Sequence, residues 1–372
     1  MKKKIYFVLF FVILFSLTLS ASLLDVYKSG KIKLVPDSNF GKGTEWDIYF
    51  PQGIKDIAFL PDGSFFATGL GNKACHCVYK FNKKGKFIKK FGRKGKGPGD
   101  LYHPGALSIL DNKYLLVADY PLNMKISVFD LNGNFVKEVR TKEYVFGLVA
   151  LKGDYIAYLS WKSRRIKGNR YLRKYPVYVK NIKTGKEKLI VEFKNIEGFI
   201  PVGFCGYEVF IASTAKNNLL VSYSKESTVK IFSPEGKLIK EFKIDIPEIK
   251  VTKDIKRAYF SKTLIYGTRR DKERSRKLIV FSDYMEGYEN VLVDEEGNIL
   301  VFYNNRLYRK NFLRFRVYSR DGKYLFDSKI DTGGFISSWG ETRRFKLYIF
   351  KDAIYSPVEK GERYEMIKVR IK

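Results

Sequence analysis

The chain is short of the residues that many enzymes and disulfide scaffolds depend on. Its 372 residues include only two histidines and three cysteines. A catalytic zinc site draws on three protein ligands, usually His-rich, and His76 and His103 alone do not supply them. No Ser-His-Asp or Cys-His arrangement is visible either, and Cys205 has no candidate base nearby in sequence. Three cysteines allow at most one intrachain disulfide. Cys75 and Cys77 flank His76 on a predicted strand, where alternation sets both thiols on one face and the imidazole on the other. The three cannot then converge on one metal, and the cysteines read as small buried residues. No metal and no cofactor is expected. Acid is scarce as well: 39 Asp and Glu stand against 70 Lys and Arg, a net charge of +31. Such an excess is silent about fold but predicts attraction to anionic partners.

The N-terminus reads as a targeting segment. Lys2, Lys3 and Lys4 precede an apolar run from Ile5 to Leu19, and Ser20, Ala21 and Ser22 offer a small-residue cleavage site. Residues 1–22 are expected to be a signal peptide, or an uncleaved signal anchor, since Ile5–Leu24 is just long enough to span a bilayer. No cysteine sits near the site, so a lipoprotein anchor is unsupported. The expected location is periplasmic or extracellular, with membrane association through this segment as the anchored variant.

What the rest of the chain has is a repeat. An alternating apolar strand, a short turn ending in glycine and a further strand recur five times. Val78–Phe81 leads to Gly85, Ile126–Phe129 to Gly133, Val177–Val179 to Gly185, Val229–Phe232 to Gly236 and Phe315–Tyr318 to Gly322. A period near 50 residues with strand-type alternation is the signature of a β-propeller, one repeat per blade. The first repeat reads as strands Ile54–Leu60, Ser64–Gly69, Ala74–Asn82 and Lys86–Phe91, called a to d. The second matches it with Ala106–Leu110, Tyr114–Asp119, Lys125–Asp130 and Asn134–Val139. Repeats three to five span Val145–Phe193, Val209–Ile244 and Val291–Ile330. The C-terminus supplies only three strands of a sixth, Phe345–Phe350, Ala353–Ser356 and Tyr364–Ile371. An open edge there would invite aggregation. Ile32–Val35 with the following Asn39-Phe40-Gly41 reads as the missing d strand, because Phe40-Gly41 matches Phe91-Gly92 at the end of the d strand of repeat one. The fold expected is all-β: one six-bladed propeller over residues 31–372, its last blade closed by the N-terminal strand, with an insertion at about 247–288.

The segment Phe91-Gly92-Arg93-Lys94-Gly95-Lys96-Gly97-Pro98-Gly99-Asp100-Leu101-Tyr102-His103-Pro104 resembles the glycine-rich, proline-terminated connector of NHL-repeat propellers. Val117-Ala118-Asp119, followed by Asn123 to Asp130, is similar to their strand b–c signature. Blades one and two carry this resemblance; blades three to six keep the strand pattern and lose the connector. The chain is similar to secreted bacterial six-bladed propellers of NHL type, which implies the fold firmly and a function hardly at all.

Antiparallel blades place a–b and c–d turns on one face of the ring, and b–c and d–a segments on the other. In this chain the first set is short and the second is long and basic. Arg93, Lys96 and His103 lie on the first connector. Trp161, Lys162, Arg164, Arg165, Arg170, Tyr171 and Arg173 lie in Trp161–Tyr175, read as the b–c loop of blade three, with seven basic residues and no acidic one. Arg269 and Arg270 lie in the insertion, with eleven basic and six acidic residues over 247–288. Arg306, Tyr308 and Arg309 lie in the b–c loop of blade five. Long loops on a rigid scaffold are where binding concentrates, and basic surfaces with interleaved aromatics suit polyanions. The function expected is that of a non-catalytic extracytoplasmic binding or scaffold propeller. Its partner would be an anionic ligand, glycan, membrane surface or protein. The alternative is a calcium-assisted hydrolase, lactonase or lyase with its site in the central tunnel, using oxygens such as those of Asp119, Asn123, Asp294 and Glu296. Nucleic acid is not expected, because the leader separates the protein from RNA.

Overall fold

The alternation does fold into blades, and burial peaks in the second and third strands of each. The computed structural model describes residues 22–69, 75–119, 124–168, 170–198, 207–262, 273, 281, 283–304, 312–332, 347–360 and 363–371. Blade one is formed by β2 (Ile54–Phe59), β3 (Phe65–Gly69), β4 (Val78–Phe81) and β5 (Phe87–Phe91). Blade two is formed by β6 (Pro104–Leu110), β7 (Tyr114–Asp119), β8 (Lys125–Asp130) and β9 (Phe135–Arg140). Second strands are covered on both faces, so β3 is buried at every residue and reads as a continuous apolar run. Fourth strands lie outermost, and in β9 only Val139 is buried.

Blade three contains β10 (Gly147–Ala150), β11 (Tyr155–Leu159), β12 (Lys162–Lys167), β13 (Arg170–Asn181) and β14 (Glu187–Gly198). Blade four contains β15 (Val209–Ser213), β16 (Leu219–Tyr223), β17 (Thr228–Phe232) and β18 (Leu238–Lys243). In the expected insertion a two-stranded ribbon, β19 (Ile249–Lys250) with β20 (Tyr284–Met285), brackets an α-helix at Lys253–Lys262. Blade five is β21 (Tyr288–Val293), β22 (Ile299–Tyr303), β23 (Phe312–Tyr318) and β24 (Tyr324–Asp331). Blade six has β25 (Tyr348–Phe350), β26 (Ala353–Lys360) and β27 (Arg363–Ile371). Its fourth strand is β1 (Ile32–Pro36), antiparallel to β27 with Leu34 opposite Ile371. The N-terminal closure expected from sequence is therefore present. β1 also pairs in parallel with β24, Ile32 opposite Ile330, so it joins blades five and six.

The residues just before β1 are fixed to blade five. Helix α1 (Leu23–Ser29) starts with the Leu23 amide donating to Glu296 at 2.7 Å, in the a–b turn of that blade. Tyr27 from this helix is fully buried edge-on against Phe315, with ring centroids 5.7 Å apart. After β1, Phe40, Trp46 of helix α2 (Trp46–Tyr49) and Phe50 pack against Phe65, Phe81 and Tyr355 between blades six and one. Among the described residues the buried apolar side chains fall into six clusters, one for each contact between neighbouring blades.

The repeat glycines do more than turn the chain. Gly133 has φ +81°, and a Cβ there would meet Phe91 Cδ1 of blade one at 2.5 Å. Gly322 has φ +73°, and a Cβ would meet Phe242 of blade four at 2.4 Å. Gly85 meets Phe40 and Gly41 in the same way, which explains the matching Phe-Gly pairs. The Gly133 and Gly322 turns seat on the outer strand of the preceding blade, and the Gly85 turn on the segment that follows β1. Lysines reinforce the seat: Lys80 Nζ donates to the Leu131 carbonyl at 2.9 Å, and Lys137 Nζ to that of Ile182 at 3.2 Å. Gly185 is the exception, with φ +75° and open space around it.

Two sequence expectations change. Trp161–Tyr175 is not a loop: β12 pairs with the first half of β13. Cys75 and Cys77 do not lie on strand c, which begins at Val78, but are joined in a disulfide. A strand would hold their Cα atoms about 6.6 Å apart, and the bond draws them to 5.1 Å.

Gly133→Ala should cost about 1–2 kcal/mol for positive φ and a further 1–3 kcal/mol, roughly, for overpacking on Phe91. Gly185→Ala should show only the first of these. Urea unfolding of both variants compares them, and equal losses would refute the inter-blade contact.

Candidate functional site

The long-loop face is organised by blade three. Strands β13 and β14 each run for twelve residues, and the first part of β13 lies beyond the end of β11, where β11 stops opposite Val177. There β12, β13 and β14 form a three-stranded extension that runs on past the blade for about 20 Å at strand rise. The register sorts its side chains. Lys162, Lys174 and Lys194 form one row, and Arg164, Leu172 and Ile196 another, on the same face. A register shift between Arg165 and Lys167 leaves Lys167 opposite Arg170, whose side chain shares that face. The opposite face carries Tyr175 and Phe193, which pack on buried Tyr223.

The first face is therefore the outward one. Ile196 is 59% exposed at its centre, and Lys162, Arg164, Lys167 and Arg170 are exposed around it. Acidic partners are few: Lys162 pairs with Glu143 at 2.5 Å, and Glu192 lies 3.3 Å from Lys174 and 3.4 Å from Lys194. Arg165, Tyr171 and Arg173 belong to the other face, and Arg165 Nε closes the hairpin turn on the Gly168 carbonyl at 2.6 Å. Trp161 is half-buried at the base of the extension.

The connector residues serve a different purpose. Arg93 Nε donates to Asp100 Oδ1 at 2.8 Å, and the Gly97 amide donates to Oδ2 at 2.9 Å. The Arg93 hydrogen bond holds the Asp100 carboxyl below its ordinary range. A Cβ at Gly95 would lie 2.1 Å from the same carboxylate, so the glycine-rich run wraps around Asp100 and sinks Leu101 fully into the contact between blades one and two. Lys96 is exposed on this loop. His103 and His76 come together, ring centroids 5.6 Å apart, beside the Cys75–Cys77 disulfide. His76 Nδ1 is hydrogen-bonded to the Tyr102 carbonyl. Arg269, Arg270, Arg306, Tyr308 and Arg309 lie outside the described residues, as does Cys205.

The oxygens considered for a tunnel calcium site do not converge. Asp119 accepts from the amides of Tyr102 at 2.9 Å and His103 at 2.6 Å, an anchoring role for the connector. Asp294 and Glu296 sit on the opposite, short-turn face, bonded to Asn298 and Leu23. Asn123 lies outside the described residues. Among the described residues no group of three or more His, Cys, Asp and Glu could hold a metal ion. No described helix is long and apolar enough to cross a membrane.

Sequence reasoning missed a concave basic surface on the short-turn face. A cavity of about 820 Å³ opens there between blades six and one. The one local signal was the lysine-rich turn Lys83-Lys84-Gly85-Lys86; the other walls come from segments far apart in the chain.

A family model described as a 6-bladed beta-propeller (DUF5128) matches residues 70–326. No curated protein matches the sequence. Among solved structures, the chain is similar to a member of the DUF4221 family from Bacteroides vulgatus, at 12% identity and TM-score 0.51, covering 92% of this chain and 98% of that one. It is also similar to a catalytically inactive variant of virginiamycin B lyase from Staphylococcus aureus, solved with quinupristin. That match has 11% identity and TM-score 0.45, covering 92% of this chain and 99% of that one.

Burial, reinforced by the neighbouring His76, holds the His103 imidazole below its ordinary value. The unfolded chain then takes up a proton near pH 6.5 while the fold resists it, so stability should fall as pH drops below that point. His103→Gln should flatten the dependence of the melting temperature between about pH 7 and pH 5. An unchanged slope would remove His103 as its source.

Proposed function

The chain belongs to the six-bladed β-propeller family DUF5128, and on that footing we propose that it is a non-catalytic binding propeller, working outside the cytoplasm, that engages an anionic partner through the outward face of the blade-three extension. The observation that carries this reading is the register there. It gathers Lys162, Arg164, Lys167, Arg170, Lys174 and Lys194 around exposed Ile196. Cations on a rigid sheet need no backbone ordering to meet a complementary surface, and together they focus a field that raises association rates. The exposed apolar centre adds contact area that pure charge does not.

Two further points support the setting. The leader-like residues 1–22 suit export. The Cys75–Cys77 disulfide suits an oxidising compartment, since cytosolic thiols are kept reduced.

Binding of the purified protein to dextran sulfate should weaken at least tenfold as salt rises from about 50 to about 300 mM, because the screening length shrinks to a few ångströms. The double variant Arg164→Glu, Arg170→Glu should lose tenfold or more at low salt. Lys216→Glu, on an exposed short turn of blade four, should not. Salt-independent binding, or equal loss in both variants, would sink this reading.

A further inference from the structure

The cavity on the short-turn face is a second site, separate from the extension and built differently. It lies where the ring is closed. Blade one contributes Lys83, Lys84 and Lys86 from its c–d turn, the segment after β1 contributes Lys42, and blade six contributes Lys351 and Arg370. Phe40 and Tyr355 form its floor as buried rings, and Phe350 stands half-buried at its wall, stacked on Phe59. Its volume of about 820 Å³ falls within the range of ligand pockets.

Three carboxylates share the walls, and they are already organised. Asp37 lies 3.8 Å from Arg370 and 3.9 Å from Lys368. Asp62 accepts from the Ser64 hydroxyl at 2.6 Å and the Ser64 amide at 2.9 Å. Asp352 is exposed at the rim. The cleft thus offers several separated cations for negative groups, with carboxylate acceptors between them for hydroxyl donors.

Lys351 marks the site independently of the charge count. It sits in the a–b turn of blade six at φ +53°. The comparable turns of blades one to five meet positive φ with Gly63, Asp111 and Asn112, Gly153 and Asp154, Asn217 and Gly297. Gly, Asn and Asp are the residues that adopt this backbone readily, and the Lys351 amide, which donates to Glu295 of blade five at 3.1 Å, needs no lysine side chain to do so. Its ammonium lies 5.4 Å from the centre of the Phe350 ring at the cleft wall. Strained backbone of this kind is retained at functional positions.

We propose that this cleft binds a short acidic carbohydrate, with carboxylates of the sugar on the lysines and hydroxyls on the aspartates. Charge alone would admit any anion; the interleaved aspartates disfavour a bare one and favour a ligand that also donates hydrogen bonds.

Titration calorimetry with a uronic-acid trisaccharide, a neutral trisaccharide and citrate tests it. The uronate should bind, with the neutral sugar and citrate at least tenfold weaker. Lys351→Asn should weaken uronate binding tenfold or more while leaving the melting temperature equal or higher, because Asn accepts the same φ. Lys84→Glu should weaken it similarly. The Arg164→Glu, Arg170→Glu variant should bind uronate like the unaltered protein, which separates this cleft from the extension. No uronate binding, citrate binding as tightly as uronate, undiminished binding by Lys351→Asn, or loss through the extension variant would each overturn the assignment.

Discussion

Everything in this molecule depends on closing the ring, and one short strand does it. Blade six has three strands from the C-terminus, and β1 supplies the fourth from the other end of the chain. Without it β27 would present an open edge, a row of unpaired backbone groups that templates aggregation. The same segment reaches both ways. Helix α1 is tied to blade five through Glu296 and Tyr27, and Phe40, Trp46 and Phe50 fill the contact with blade one. Three of the six blades are held in place by residues 23–50.

Within the ring, neighbouring blades are registered by a small recurrent device. A turn glycine seats on the outer strand of the preceding blade, and lysines from that blade donate to the turn carbonyls. This bears on the charge of the protein. Part of a net charge of +31 is consumed in holding blades together, so composition alone overstates what is left for partners. Position is more informative: Arg164, Lys167 and Arg170 on the extension and Lys83, Lys84 and Lys351 at the cleft stand exposed.

The blades and the closing strand were legible because they are written locally. Alternation, turn glycines and the Phe-Gly pair each occupy a few consecutive residues. The extension was not legible for a physical reason. From Lys162 to Lys174 its outward face is cationic, so the apolar alternation that announces a half-buried strand is missing. The disulfide was hidden by the same logic reversed, since Cys75-His76-Cys77 continues an apolar pattern that the covalent bond interrupts. The cleft is written nowhere in particular. Its lysines come from a connector and from turns of the first and last blades, and only closure brings them together.

The way β1 is used also constrains how the protein can be assembled. It leaves β1 with both pairing partners, β24 and β27, about 300 residues further along, so that segment must stay unpaired until blades five and six take shape. Contacts this distant in sequence carry a heavy loop-closure cost before they return any stabilisation, which places the sealing of the ring among the slowest steps of folding. Until then β24 and β27 both remain available to another chain, and a second molecule's N-terminal strand would fit them as well as the molecule's own. Exchange of that strand between two copies is the characteristic failure of such a clasp. The protein's yield in folded form should thus depend on how dilute it is while the ring is still open.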